Sequence, residues 1–318
     1  LQTRGFRQKL VRQIENYLLN PGLCGLGLAL ILLPLSLIVC FVAIIKRTFS
    51  KPVKPPIPTI SIGNLTVGGS GKTPLTIALA KNFTHPAIIL RGYKRQSSGT
   101  ICVSNKGQIL CDVLTSGDEA MLYAKSLPNA TVIVSENRLQ GILKAYSLGA
   151  KCAFLDDGFL KFNIKKFDIL IRPNPKPKLP FCLPSGPYRA PIFFEKYANL
   201  ILSENSDFKR IVTLKNPTKK MVLVTAIANP KRLEPYLPKK LLAKYTFEDH
   251  YTFKKEELEE ILLKHNATSL LTTAKDAVKI KPFNLPLSLL DLDIQIEPKI
   301  IQSIKEYISK NSTQLFRL

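Results

Sequence analysis

The residues best equipped for chemistry are Gly68, Gly69, Ser70, Gly71, Lys72 and Thr73, a glycine-rich hexad between a β-branched run (residues 59–62) and an apolar stretch of helical spacing. Glycines let a backbone curl its N–H groups around phosphate oxygens, and the N-terminus of the following helix adds positive potential. In such a loop Lys72 reaches the β- and γ-phosphates and Thr73 holds Mg²⁺. The loop begins at Thr66 and Val67, and Thr66 stands where the strict pattern has glycine. The strand-to-helix context still marks a nucleoside triphosphate site with Mg²⁺. ATP is expected over GTP, because Asn105 and Lys106 are followed by Gly107 and Gln108 and complete no N-K-x-D guanine motif.

Phosphoryl chemistry on such a loop needs a second metal anchor, commonly an aspartate closing a neighbouring hydrophobic strand. Asp156 and Asp157 follow the apolar run 152–155, precede Gly158 and fit that place; a pair of acids in a solvated turn is the plainer alternative. Asp118 and Glu119 open a predicted helix after Gly117, where Asp118 reads first as an N-cap accepting backbone N–H groups. His250, in the segment FEDHYTF (247–253), is one of three histidines with His85 and His265. A lone histidine is commonly structural or solvated, and a proton-transfer role stays open beside that reading.

The elements that must position these groups follow from periodicity. Short apolar or β-branched runs at 59–62, 87–90, 131–134 and 152–155 alternate with helical stretches starting near Lys72, Asp118 and Arg138. That is the rhythm of βαβ units: an α/β fold of the P-loop NTPase type, with a mostly parallel sheet flanked by helices. Residues 100–111, centred on Asn105, Lys106 and Gly107, read as an inserted hairpin. The proline-rich, basic stretch 173–180 reads as a surface loop. Strands near 200–202, 221–225 and 269–272 and a closing helix near 298–309 point to a second, smaller α/β lobe. The expected division is an N-terminal membrane-anchor helix region at 1–50, a phosphate-loop kinase core at 51–204 entered through a stiff proline-rich linker, and a C-terminal lobe at 205–318 packing on that core.

Residues 22–45 carry no charge, and Ser36 is their one plainly polar side chain. As a helix they extend about 36 Å, long enough to cross a bilayer. Pro34 and the small residues Gly22, Gly25 and Gly27 suit a bent, half-inserted helix equally, and both arrangements stay open. No A-x-A cleavage site follows, so the helix is expected to remain in the mature protein. The chain holds 46 Lys and Arg against 23 Asp and Glu, a formal net charge of +23. Residues 1–60 and 160–190 carry excesses of 7 and 6, more than half of that surplus. Cations clustered beside an apolar helix meet anionic headgroups, which favours an anionic membrane surface and argues against nucleic acid. Six cysteines without a CxxC pair argue against a zinc site and a disulfide scaffold. Nothing in the sequence fixes an oligomeric state.

Together these segments resemble the tetraacyldisaccharide 4′-kinase family of lipid A biosynthesis, from the apolar N-terminus to about Ile280. The motifs fall in the family's order: N-x-x-x-GGSGKTP (64–74), RGYKR (91–95), GDE (117–119), SENR (135–138), DDG (156–158), LPSGPYR (183–189), IANP (227–230), DHY (249–251) and TTAKDA (272–277). The resemblance implies an inner-membrane-associated kinase whose catalytic domain faces the cytoplasm, where ATP is found. Such an enzyme uses MgATP to phosphorylate the 4′-hydroxyl of a tetraacylated glucosamine disaccharide 1-phosphate, giving lipid IV-A. It further implies Asp118 as base for the sugar hydroxyl, paired with His250, with Lys72 and Thr73 on phosphates and metal. Glu119, Asp156 and Asp157 would complete the metal shell. Arg138 and Arg189 would face phosphate or developing charge, for which the planar guanidinium fork is suited, with a surface ion pair as the plainer alternative for each. Where the family continues Asp-Asp-Gly-Phe with Gln-His, this chain has Leu160 and Lys161, losing an amide and an imidazole and gaining a cation. A membrane-tethered P-loop ATPase acting as a switch on a protein partner explains the loop and the anchor equally well. It leaves Asp118 and His250 without a task.

Overall fold

The computed structural model describes residues 13–14, 16–227, 230–249 and 251–312. Its larger sheet is built on β1 (Thr59–Gly63), β2 (Pro86–Leu90), β5 (Thr131–Val134) and β6 (Cys152–Asp156), each buried along its whole length. Such unbroken apolar strands are what a parallel sheet covered on both faces requires. With β3 (Ile101–Asn105), β4 (Gln108–Ile109), β7 (Phe167–Ile171) and β8 (Leu200–Leu202) the order is β4-β3-β5-β2-β6-β1-β7-β8. The strands from β5 to β8 run parallel, whereas β3 and β4 form the inserted hairpin and pair antiparallel at one edge. The phosphate loop leaves the C-terminal end of β1, in the middle of the sheet, where doubly wound folds bind ligands.

Helices α2 (Lys72–Ala80), α3 (Asp118–Ser126) and α4 (Arg138–Ser147) connect these strands. A second sheet, β9 (Phe208–Lys215), β10 (Met221–Thr225), β11 (Leu241–Thr246), β12 (Ser269–Thr273) and β13 (Leu287–Ile296), has the order β11-β10-β12-β13-β9. It is parallel except for the antiparallel β13–β9 pair. Helices α5 (Lys255–Lys264) and α6 (Ala274–Ile280) belong to this lobe. The closing helix α7 (Pro298–Ser312) returns to the first sheet. Its Ile300 and Ile304 share one core with Ile60, Leu75 and Leu79, and Tyr307 meets the Phe167 ring at 5.0 Å. Phe208 and Ile294 of the second sheet join the same core, so a continuous apolar contact sets how the lobes meet.

Helix α1 (Leu23–Thr48) docks along one stripe. Ser36, 2% exposed, donates to the Cys182 carbonyl (2.8 Å) and accepts from the Ser185 amide (2.9 Å). Val39, Cys40 and Ala43 pack on the cluster of Leu65, Phe159 and Tyr188, and Arg47 lies 3.4 Å over the Tyr197 ring. These positions recur every three or four residues, the spacing of one helical face. Ala29 is buried as well, whereas Leu30, Ile31, Leu37, Ile38 and Phe41 are exposed. The proline-rich linker is held rather than free: Val53 donates to the Asn163 carbonyl and accepts from the Lys165 amide, and Ile57 is buried.

Candidate functional site

The phosphate loop is fastened from outside at several points. The Val67 amide donates to the Pro187 carbonyl at 2.8 Å, Thr66 bridges Tyr188, and the Arg189 amide donates to the Leu65 carbonyl at 2.7 Å. Gly68 (φ +93°) and Gly71 (φ +83°) occupy backbone conformations that side chains resist, and space around Gly68 is open. α2 begins at Lys72, so its free N–H groups and positive end face the loop. Lys72 Nζ donates to Asn64 Oδ1 (3.0 Å) and Ser70 Oγ (3.4 Å) and lies 3.7 Å from Asp157. Asn64 also donates to the Thr66 carbonyl, and Arg189 closes the ring with bonds to both Asn64 oxygens and to both oxygens of Asp157.

Asp156 and Asp157 sit side by side at the end of β6 with opposite electrostatics. Burial, followed by repulsion from Glu119, raises the Asp156 pKa to about 7, against the attraction of Lys72; its Oδ1 is buried with no hydrogen-bond partner among the described residues. Burial alone would raise Asp157 too, but bonds from Arg189 and the charges of Lys72 and Arg138 bring it down to about 2. Asp157 has φ +53°, which aims it at Arg189 and away from its neighbour. Arg138, 5% exposed, donates to the backbone carbonyls of Ser135 (2.6 Å) and Asp156 (3.4 Å). It therefore braces the strand ends that carry the acids. Lys161 stands near Arg138, Arg91, Asp157 and Lys46, its pKa pushed down first by burial and then by the surrounding cations.

No three His, Cys, Asp or Glu side chains among the described residues converge as a ready-made metal cage. Mg²⁺ does not need one, since it commonly takes one or two protein oxygens, substrate phosphates and water. The orphaned Asp156 oxygen, with Glu119 close by and Thr73 at the start of α2, is a donor set that fits it. The buried Tyr123 hydroxyl adjoins Thr73, Asp156 and Glu119, and burial pushes its pKa well above the ordinary phenol value.

Asp118 corrects the reading as an N-cap. Gly117 occupies the cap with φ +84°, and Asp118 is the first helical residue, 7% exposed. The second lobe meets it there: Lys279 Nζ lies 3.6 Å from Asp118 Oδ2, 3.5 Å from Asp276 Oδ1 and 3.0 Å from the Tyr251 carbonyl. Lys275 pairs with Asp249 at 2.9 Å; burial works against its charge, but Asp249, Glu119 and Asp118 hold its pKa up. Asp276, fully buried, accepts from Thr225, the Ala226 amide and Thr273, fixing the ends of β10 and β12. His250 lies outside the described residues; its neighbours Asp249 and Tyr251 are held beside Asp118 by Lys275 and Lys279.

Residue-type reasoning missed Asn64, Tyr123, Lys275, Asp276 and Lys279. Some signal was present: Tyr123 stands four residues after Glu119, Lys279 four after Lys275, and Lys275 and Asp276 lie in the TTAKDA motif.

The family model described as tetraacyldisaccharide-1-P 4′-kinase, LpxK, matches residues 28–309. The chain is 50% identical over 295 residues to a tetraacyldisaccharide 4′-kinase of Helicobacter acinonychis, covering 93% of this chain and 94% of that one. It is 49% identical over 311 residues to the protein of that name from Aliarcobacter butzleri, covering 95% and 99%. A crystal structure of LpxK from Aquifex aeolicus in complex with ATP superposes with a TM-score of 0.74 at 27% identity, covering 88% of this chain and 99% of that one. The phosphate loop, the paired aspartates and the acid held across two lobes thus stand in a chain that belongs to the LpxK family of tetraacyldisaccharide-1-P 4′-kinases.

Proposed function

We propose that this protein transfers the γ-phosphate of ATP to the 4′-hydroxyl of a tetraacyldisaccharide 1-phosphate in lipid A biosynthesis, forming lipid IV-A. The observation that carries the reading is the convergence, in a member of this family, of Lys72 on a phosphate loop with Asp118, a buried acid gripped by Lys279 of the opposite lobe. Residues 66–73 take the triphosphate, N–H groups and Lys72 supplying charge that meets the phosphoryl oxygens. Thr73 and Asp156, with Glu119, are the residues to hold Mg²⁺, and Asp157 with Arg189 keeps Lys72 in line. Magnesium, when bound, neutralises charge on the transferring phosphoryl group. Asp118 orients the sugar hydroxyl and takes its proton as the O–P bond forms and the bond from phosphorus to the ADP oxygen breaks. Because transfer is loose and dissociative, a carboxylate suffices as a late proton acceptor. His250 is assigned to orient Asp118 or share that proton, and Arg138 to brace the Asp156 turn.

The same reading divides the chain into an anchor (1–50), a kinase core (51–204) and a second lobe (205–318), supported by the change of sheet between Leu202 and Phe208. It seats α1 in the cytoplasmic face of the inner membrane. Ser36, Cys40, Ala43 and Arg47 keep the C-terminal half of the helix on the catalytic body while its other sides stay apolar and exposed, which favours a helix lying in the interface over one spanning it. Lys46, Lys51 and Lys54 then meet anionic headgroups.

The test is transfer of labelled γ-phosphate from ATP to tetraacyldisaccharide 1-phosphate in mixed micelles, comparing the intact chain with Asp118→Asn. Labelling at the 4′ position that collapses in the variant is expected. A chain that binds MgATP, labels no lipid and hydrolyses ATP only with a protein partner would replace the kinase with the switch.

A further inference from the structure

Two arginines of the second lobe reach the phosphate loop and take no part in the mechanism above. Arg232, on the short 3₁₀ turn Pro230–Tyr236, donates to the Gly69 carbonyl at 2.6 Å and to the Asn174 carbonyl at 2.9 Å. It thereby ties the loop to the proline-rich stretch after β7. Across a trans peptide the C=O of Gly69 and the N–H of Ser70 point in opposite directions, so a hold on one sets the direction of the other. Arg210, on β9, pairs through Nε with Glu204 at 2.6 Å, while its Nη2 is buried with no hydrogen-bond partner among the described residues. That nitrogen lies against the last loop glycine: a Cβ on Gly71 would collide with Nη2 and crowd the guanidinium carbon at 3.1 Å.

Buried guanidinium nitrogens are ordinarily satisfied. Here Arg210 and Arg232 crowd each other, with Glu204 as the acid beside both; burial, then Arg210, pushes the Arg232 pKa down, against Glu204. The excess of cation faces the loop built to receive a polyanion. We infer that the second lobe completes the nucleotide site, Arg210 as a ligand of the triphosphate and Arg232 as a positioning residue for the loop backbone. The inference rests on the nucleotide half of the proposed function and is independent of the lipid half.

The experiment measures affinities of the full chain in detergent for ATP, ADP and AMP with Mg²⁺ by calorimetry, and rates over an ATP series. Arg210→Gln is expected to weaken ATP at least 10-fold, ADP less and AMP least, with Arg210→Lys restoring part of the loss. Glu204→Gln, which breaks the ion pair but keeps the guanidinium, should bind ATP as well as the parent chain or better. Arg232→Gln should raise the KM for ATP several-fold with a smaller change in the KM for lipid. ATP affinity of Arg210→Gln within twofold of the parent, an equal loss for ATP and AMP, or an equal loss in Glu204→Gln would overturn the assignment. Lipid labelling by the parent chain is scored separately, so a chain that binds ATP with these dependences but labels no lipid removes the lipid kinase and leaves this inference standing.

Discussion

Removing the Arg189 guanidinium loads the site at its tightest junction. The side chain donates to both Asp157 oxygens (2.7 and 2.8 Å), to the Asn64 carbonyl (2.7 Å) and to Asn64 Oδ1 (2.8 Å). In Arg189→Ala the nearest remaining cation to Asp157 is Lys72, 3.7 Å away, and the freed carboxylate should draw that ammonium from Asn64 and from the phosphates. A hydrogen bond to a charged group contributes about 1.5–3 kcal/mol. Arg189 and Asp157 are 27% and 39% exposed. Screening therefore sets the two bonds to Asp157 at the low end, about 3 kcal/mol together. At 1.36 kcal/mol per decade, kcat/KM for ATP should fall by up to about 10²-fold, the limit reached if all of that energy serves to hold Lys72 on the transferring phosphoryl group. Arg189→Lys keeps the charge without the fork and should recover only part of this. Stability gives a second readout. The folded-state pKa of Asp157 is held at about 2, below the ordinary carboxylate value, so its contribution is present above pH ~4 and is lost as pH falls through 2. The gap in melting temperature between parent and variant should thus narrow between pH 5 and pH 2. A variant within threefold of the parent in kcat/KM for ATP, with a gap indifferent to pH, would refute the reasoning.

Asp156 should behave in the opposite sense. Its folded-state pKa is raised to about 7, so the nucleotide-free chain is favoured at low pH and loses stability as pH rises through 7. Asp156→Asn should melt higher than the parent at pH 8, by at least the roughly 2 °C that 1 kcal/mol gives in a chain of this size, while transfer activity is lost; a lower melting point at pH 8 would contradict it. Gly158→Ala should destabilise by about 1–3 kcal/mol, because overpacking has no relief where the new Cβ meets Leu155 Cβ at 2.6 Å and Ser61 Cβ at 2.9 Å. Urea unfolding reads this directly, and an unchanged midpoint would rule it out. Ser36→Leu removes both hydrogen bonds that Ser36 makes to the segment 182–185 and leaves the Ser185 amide without its partner. A cost of about 1–3 kcal/mol and faster exchange of that amide are expected, and unaltered exchange would show that the helix is held elsewhere.

How far the sequence could be read depended on whether the signal was local. The phosphate loop and the strands 59–63, 86–90, 131–134 and 152–156 were legible because glycine placement and unbroken apolar runs are properties of consecutive residues. The partners of Asp118 were not. Asp118 and Lys279 are joined only by the packing of α3 against α6, and no periodicity within either helix announces it. The family resemblance offered Arg189 for phosphate or developing charge, with an ion pair as the alternative; the fold brings it onto Asp157 and Asn64, and Asn64 in turn accepts from Lys72, partners that no local pattern in the sequence announces. The N-cap reading of Asp118 failed for a backbone reason: Gly117, with positive φ, takes the cap and moves the acid one residue into the helix.

Composition marked α1 as apolar, but its bearing on the site comes from contacts distant in sequence. Ser36 is bonded to Cys182 and Ser185, and Tyr17 to the Pro184 carbonyl. Two residues further on, Pro187 accepts from Val67 of the phosphate loop, and Arg189 grips Asp157. One short segment, 182–189, is therefore hydrogen-bonded on one side to the helix and on the other to the loop and its lysine clamp. A flexible tether would hold the catalytic body near a bilayer in any orientation. A helix fixed by Ser36, Cys40, Ala43 and Arg47 instead sets one orientation, with the exposed stripe from Leu30 to Phe41 defining which side meets apolar material. For an acceptor whose acyl chains stay in that material, orientation decides whether the sugar hydroxyl reaches Asp118, since misplacement by about 1 Å can cost 10²-fold in rate. Under the function proposed above, the apolar helix would belong to the machinery that positions the acceptor, and the segment 182–189, bonded to both the helix and the phosphate loop, would carry its geometry to the nucleotide.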